Sequence, residues 1–109
     1  MSIGPVLECP KSLVDCLPEL VSSVGVKIEI LDRVEPNGWE GQYVFKTSLG
    51  HIIGRRHVKD NICRIWLTFP REHAFNPLYW LADFRLCGKL ERMLQENGAS
   101  PCDWANVAS

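Results

Sequence analysis

The sequence has no apolar run longer than four or five residues. A helix needs about 20 to cross a bilayer, so no membrane span is expected. It has no C-x-x-C pair, and its cysteines, Cys9, Cys16, Cys63, Cys87 and Cys102, are odd in number. A zinc site wants paired ligands at short spacing, so no metal is expected, and the thiols read as reduced and mostly buried. The N-terminal segment MSIGPVLECPK lacks a basic start and a long apolar stretch, so no secretory leader is expected and the chain is placed in the cytoplasm. There is no nucleophile elbow, phosphate loop, zinc-hydrolase motif or dinucleotide fingerprint, and no cofactor is implied. Repeats, low-complexity tracts and linkers are also missing.

What is present is ordinary for a folded domain. The chain has 109 residues, 46% hydrophobic and 23% charged, which is enough for one core without a disulfide or metal staple. One α+β domain is expected over 1–109, with 1–9 and 99–109 as irregular tails. The net charge of −1 argues against general nucleic-acid binding. The charge is unevenly distributed: residues 1–40 carry seven acids against three bases, and 51–73 five bases against two acids together with all three histidines. Such a dipole either orients a partner or pairs the two halves of the molecule with each other.

Leu13, Leu17, Leu20, Val21 and Val24 have helical spacing, and Ser12 with Asp15 resembles a capping box. Pro18 should break this helix near Leu17 and restart it, and Gly25 should close it. Val26, Ile28 and Ile30 then alternate with polar residues, which predicts a strand with one wet face. The turn at 35–38 leads into a strand over about 39–47, with Trp39, Tyr43 and Phe45 on one side. Gly41 within it suggests a bulge or a close approach by another group. Strands over 51–58 and 62–69 follow, the latter with Cys63, Ile65, Leu67 and Phe69 inward and Arg64, Trp66 and Thr68 outward.

Asn76 and Pro77 read as the cap and first residue of the main helix, which ends near Glu96 before Asn97 and Gly98. Its apolar stripe is Tyr79, Ala82, Leu86, Leu90, Met93 and Leu94, bordered by Trp80 and Cys87. The pattern therefore predicts an N-terminal helix, a strongly bent four-stranded antiparallel sheet and a long C-terminal helix packed on it. The alternative is a small SH3-like barrel with flanking helices.

Asp83 falls inside the stripe. A carboxylate there must be paired, for which Arg64 or another strand cation is the expected partner, or it serves as an acid or base in a pocket between helix and sheet, helped by His57 or Arg64. His51, Arg55 and His57 share one face of their strand, Arg56 takes the other, and Arg64 and Trp66 are placed to join one of them. Such a surface, with Tyr43 nearby, suits an anionic small ligand or an acidic protein partner, and this non-enzymatic binding role is the leading expectation. An Asp83 enzyme and a single-strand nucleic-acid binder are the alternatives. Cys63 points to the core, where a thiol makes a poor nucleophile for His57 to activate. Leu81 and Phe84 lie off the buried stripe and, with Trp104, suggest an apolar patch for homodimerisation.

Overall fold

The computed structural model describes residues 3–31, 39–59, 62–70 and 75–102. The turns at 35–38 and 60–61, the connection at 71–74, and Trp104 lie outside them. The elements run β1 (Ile3–Cys9), α1 (Lys11–Asp15), α2 (Leu17–Ser23), β2 (Lys27–Leu31), β3 (Trp39–Lys46), β4 (His51–Lys59), β5 (Ile62–Thr68), α3 (Pro77–Glu96) and β6 (Ser100–Cys102). The strands form one antiparallel sheet in the order β2-β3-β4-β5-β1-β6. The sheet has six strands rather than four, and β2 and β6 are its edges, so it is not closed into a barrel.

Both added strands come from the expected tails. β1 inserts between β5 and β6, with Leu7 opposite Ile65 and Cys9 opposite Cys63. Gly4 and Pro5 disguise it in sequence, because proline cannot donate to a ladder. The register shifts between Ile3 and Val6, and such an irregularity is where an internal strand tolerates proline. β6 carries Pro101 on an outermost strand of three residues, which blunts that edge against further pairing.

The split N-terminal helix forms as the proline dictates: α1 ends before Cys16 and Pro18 sits in the first turn of α2. The Ser12–Asp15 box does not form, because the helix begins two residues earlier, with Pro10 at the N-cap and no side-chain capping bond. Gly25 has φ 79°, and the amides of Val26 and Gly25 donate to the Val21 and Ser22 carbonyls at 2.9 and 3.1 Å. This is a Schellman closure, and Gly98 (φ 109°) ends α3 in the same way. At the other end of α3 the Asn76 side chain accepts a hydrogen bond from the Leu78 amide at 3.1 Å.

All three helices share one core with one sheet face: α3 crosses β4 and β1, α2 lies on β2, and α1 on β5. Phe45, Ile65, Leu67, Leu90 and Leu94 are fully buried there. At about 1.5–3 kcal/mol for each such side chain, this layer is the main source of stability. Two sheet glycines make room for neighbours. A Cβ on Gly41 would lie 2.9 Å from both the Leu31 carbonyl oxygen and Arg56 Nη2, and the β3–β4 register shifts beside it, so the bulge and the close approach occur together. At Gly54 a Cβ would meet Phe45 Cε2 at 2.9 Å and Ile65 Cγ2 at 3.1 Å.

Gly54 thus holds the space into which the Phe45 ring packs. Gly54→Ala should lower unfolding free energy by about 1–3 kcal/mol through overpacking, measured by urea denaturation. An unchanged midpoint would show that the ring moves freely.

Candidate functional site

Cross-strand pairing fixes the outer sheet face. Arg55 stands opposite Trp66, His57 opposite Arg64, and Arg64 opposite Glu8. Arg64 and Trp66 therefore do join His51, Arg55 and His57 on one face. The charges there are engaged within the chain. Arg64 Nε and Nη2 each lie 3.2 Å from Glu8 Oε1, and only 13% of the Arg64 side chain is exposed. The Arg55 guanidinium carbon sits 5.4 Å from the Trp66 ring centroid, within cation–π range. Val6 and Val44 on the same face are buried.

Tyr43 and Arg56 occupy the opposite, helix-bearing side. Arg56 Nη1 donates to the Tyr43 hydroxyl at 3.2 Å, and its guanidinium lies 5.4 Å from that ring centroid. Burial pushes the Tyr43 hydroxyl pKa up, and the hydrogen bond and charge of Arg56 act against this. The six binding candidates thus divide between two faces, and the sheet does not bring them to one point.

Asp83 is wholly buried, as its place in the apolar stripe requires. Its Oδ1 accepts a hydrogen bond from the His51 backbone N–H at 2.6 Å. The sequence offered Arg64 or another strand cation as its partner; the Arg64 guanidinium lies instead on Glu8, and the strand gives Asp83 a main-chain donor. His57 is six residues further along β4, about 20 Å at strand rise, on the other face. Asp83 and His57 do not form an acid–base pair. His57 and Cys63 also occupy opposite faces of the sheet, so no nucleophile–base pair forms there.

A cleft of about 240 Å³ opens between the β3–β4 turn and α3, lined by Thr47, Leu49, Gly50, Arg85, Leu86 and Lys89. Thr47 Oγ1 accepts from the Gly50 amide at 2.8 Å, which fixes the turn. Lys89 lends its stem to the cleft, while its ammonium donates to the Val24 carbonyl at 2.7 Å, at the C-terminal end of α2. Asp83 lies behind this cleft and is not part of its wall. Among the described residues no three His, Cys, Asp or Glu side chains gather where a metal could bind, and no helix is long and apolar enough to cross a membrane.

Among the described residues, several large exposed apolar side chains gather on α3 and just before it. Leu81 is 51% and Phe84 56% exposed, and the structure adds Phe75 (95%), Leu78 (63%) and Trp80 (42%). Phe84 stacks on Phe69 at 5.7 Å between centroids and meets Trp80 at 5.3 Å. The sequence pointed to Leu81 and Phe84. Leu78 could have been found by the same angular count, whereas Trp80 falls beside the buried Cys87 on the wheel and its exposure needed the fold. Trp104, expected to join the patch, lies outside the described residues. Comparison with known proteins finds no family model, curated protein or solved structure that matches the chain.

Two outcomes follow. Asp83→Ala strands the His51 N–H in the core and should cost about 1–3 kcal/mol in urea unfolding. Asp83→Asn keeps an acceptor oxygen and should cost less than half as much; equal losses would show that the bond carries no stability. Burial also pushes the Cys9 thiol from 9.0 to about 12, with Cys63 beside it adding to the rise, and Cys87 to about 11, mainly by burial and secondarily through Glu91. Their protonated forms are favoured in the fold. The stability they contribute is complete below pH 9 and lost as pH climbs towards about 11–12. The fall in unfolding free energy between pH 8 and 10.5 (about one to two units either side of the free thiol value) should shrink in a Cys9→Ala/Cys87→Ala variant. An identical fall would assign it to other groups.

Proposed function

We propose that this protein is a non-enzymatic interaction module whose working surface is the outer face of α3. The observation that carries the reading is the contiguous exposure of Leu78, Trp80, Leu81 and Phe84 on a helix whose opposite side is fully used by the core. Single exposed apolar residues are common on soluble proteins, but a cluster of large ones held rigid by ring stacking marks a contact surface. Arg85, Lys89 and Arg92 follow on the exposed part of the same helix, so apolar and cationic chemistry are offered together.

The cationic and aromatic sheet face remains a candidate for an anion, but its charges already have partners in the chain. A small anionic ligand is the second reading, favoured by the cleft with Arg85 at its wall. At 240 Å³ that cleft is below the 300–1,000 Å³ or so usual for ligand pockets. Catalysis by Asp83 receives no support from a carboxylate wholly buried behind the cleft.

A photo-crosslinking amino acid placed at position 81, and separately at position 55 on the sheet, tests the assignment in the source cell. Adducts to another polypeptide should form from position 81 and be several-fold weaker from 55. Adducts from position 55 alone, or none from either, would contradict it.

A further inference from the structure

We infer that the occupant of the α3 outer face is an acidic amphipathic helix of another protein, with its apolar side on Leu81 and Phe84 and its carboxylates against Arg85 and Arg92. The inference rests on α3 being a docking surface and adds the chemistry of what docks there.

At about 100° per residue, Leu81, Gly88 and Arg92 fall within about 40° of one another, with Phe84 on one flank and Arg85 on the other. All five positions are exposed. Apolar and basic groups therefore follow one another along the helix axis. A helix that lies on a membrane instead carries them as parallel stripes, apolar below and basic above. Gly88 sits between the two zones. Glycine weakens a helix interior, and this one is not required by the protein's own packing, since a Cβ there would meet nothing within 4 Å. It leaves a notch between Phe84 and Arg92 where a second helix can approach closely, with a large apolar side chain seated over the glycine.

Charge decides between a second copy and a different chain. In a two-fold antiparallel pair centred on Gly88, the rim that carries Arg85 and Lys89 lies along the same rim of the other protomer, which brings the cations of the two copies together. The exposed acid on α3 is Glu96 in its last turn, and Glu91 is half-buried. The α1 and α2 helices of a second copy carry one acid each and are five and seven residues long, too short to run along a helix of 20. A partner carrying carboxylates beside its apolar stripe removes the repulsion and adds attraction.

The test uses two helical peptides of about 18 residues, about five turns. They share one leucine stripe; the remaining positions are glutamate-rich in one and lysine-rich in the other. Binding to the full chain is read by fluorescence anisotropy at low and high salt, beside sedimentation of the protein alone. The glutamate peptide should bind at least ~10-fold tighter than the lysine peptide, more weakly as salt rises, and Arg85→Glu/Arg92→Glu should reverse the preference. Gly88→Leu should weaken binding without lowering the thermal midpoint, which separates a filled notch from a damaged fold. Equal affinities, no binding of either peptide, or a dimer that Leu81→Glu dissolves would overturn the assignment. So would binding to anionic vesicles that Leu81→Glu abolishes while the peptides fail. Cross-linking from position 81 without a peptide preference would leave the docking surface standing and remove the acidic helix alone.

Discussion

The hydrogen bond from the His51 backbone N–H to Asp83 sets the rotation of α3, and the rest of the surface depends on it. A carboxylate in the core needs donors, and the first amide of a strand meets that need at one angular setting of the helix. With Asp83 turned to the start of β4, Leu86, Leu90 and Leu94 fall onto the sheet and Leu81, Phe84 and Gly88 are turned away from it. Lys89 adds a second tether at the C-terminal end of α2, and the Asn76 cap and Gly98 closure fix the helix ends. An unusual core residue therefore acts as an index mark for the helix.

The charge asymmetry of the chain has a matching structural use. Acidic residues of the first 40 positions meet cations of the centre across the sheet, Glu8 with Arg64 and Glu29 with Lys46. The half-buried Glu8–Arg64 pair ties β1 into the sheet, whereas the exposed Glu29–Lys46 pair at the opposite side is worth little. Arg55 and Arg56 each lie on an aromatic ring, one on either side of β4. Cations gathered in sequence are thus distributed over two faces and absorbed by neighbours. Those of α3 lie instead beside exposed apolar groups, and there the chemistry points outward.

Local signals told most where one element dictates its own ends. Asn76-Pro77 and Asn97-Gly98 bound α3 in the sequence as they do in the structure, and Pro18 split the N-terminal helix where steric conflict demands. The alternation of β5 gave its buried and outward sets directly. β1 was hidden because Pro5 masks the pattern and because its partners, β5 and β6, are distant in sequence. Non-local pairing leaves no mark in a window of ten residues. The same limit applied to Asp83: its burial followed from the helical wheel, but a backbone N–H as partner has no side-chain signature. The outer patch was half legible, through Leu81 and Phe84, and its reach to Trp80 and Phe75 needed the fold.

We propose that α3, and not the cationic sheet face, is where this protein meets others. Hydroxyl-radical footprinting of side chains, compared between purified protein and the protein in fresh extract of its source cells, tests that most directly. Oxidation of Trp80, Leu81 and Phe84 should fall several-fold in the extract while that of Trp66 is unchanged. Protection of Trp66 with α3 still fully reactive would contradict it.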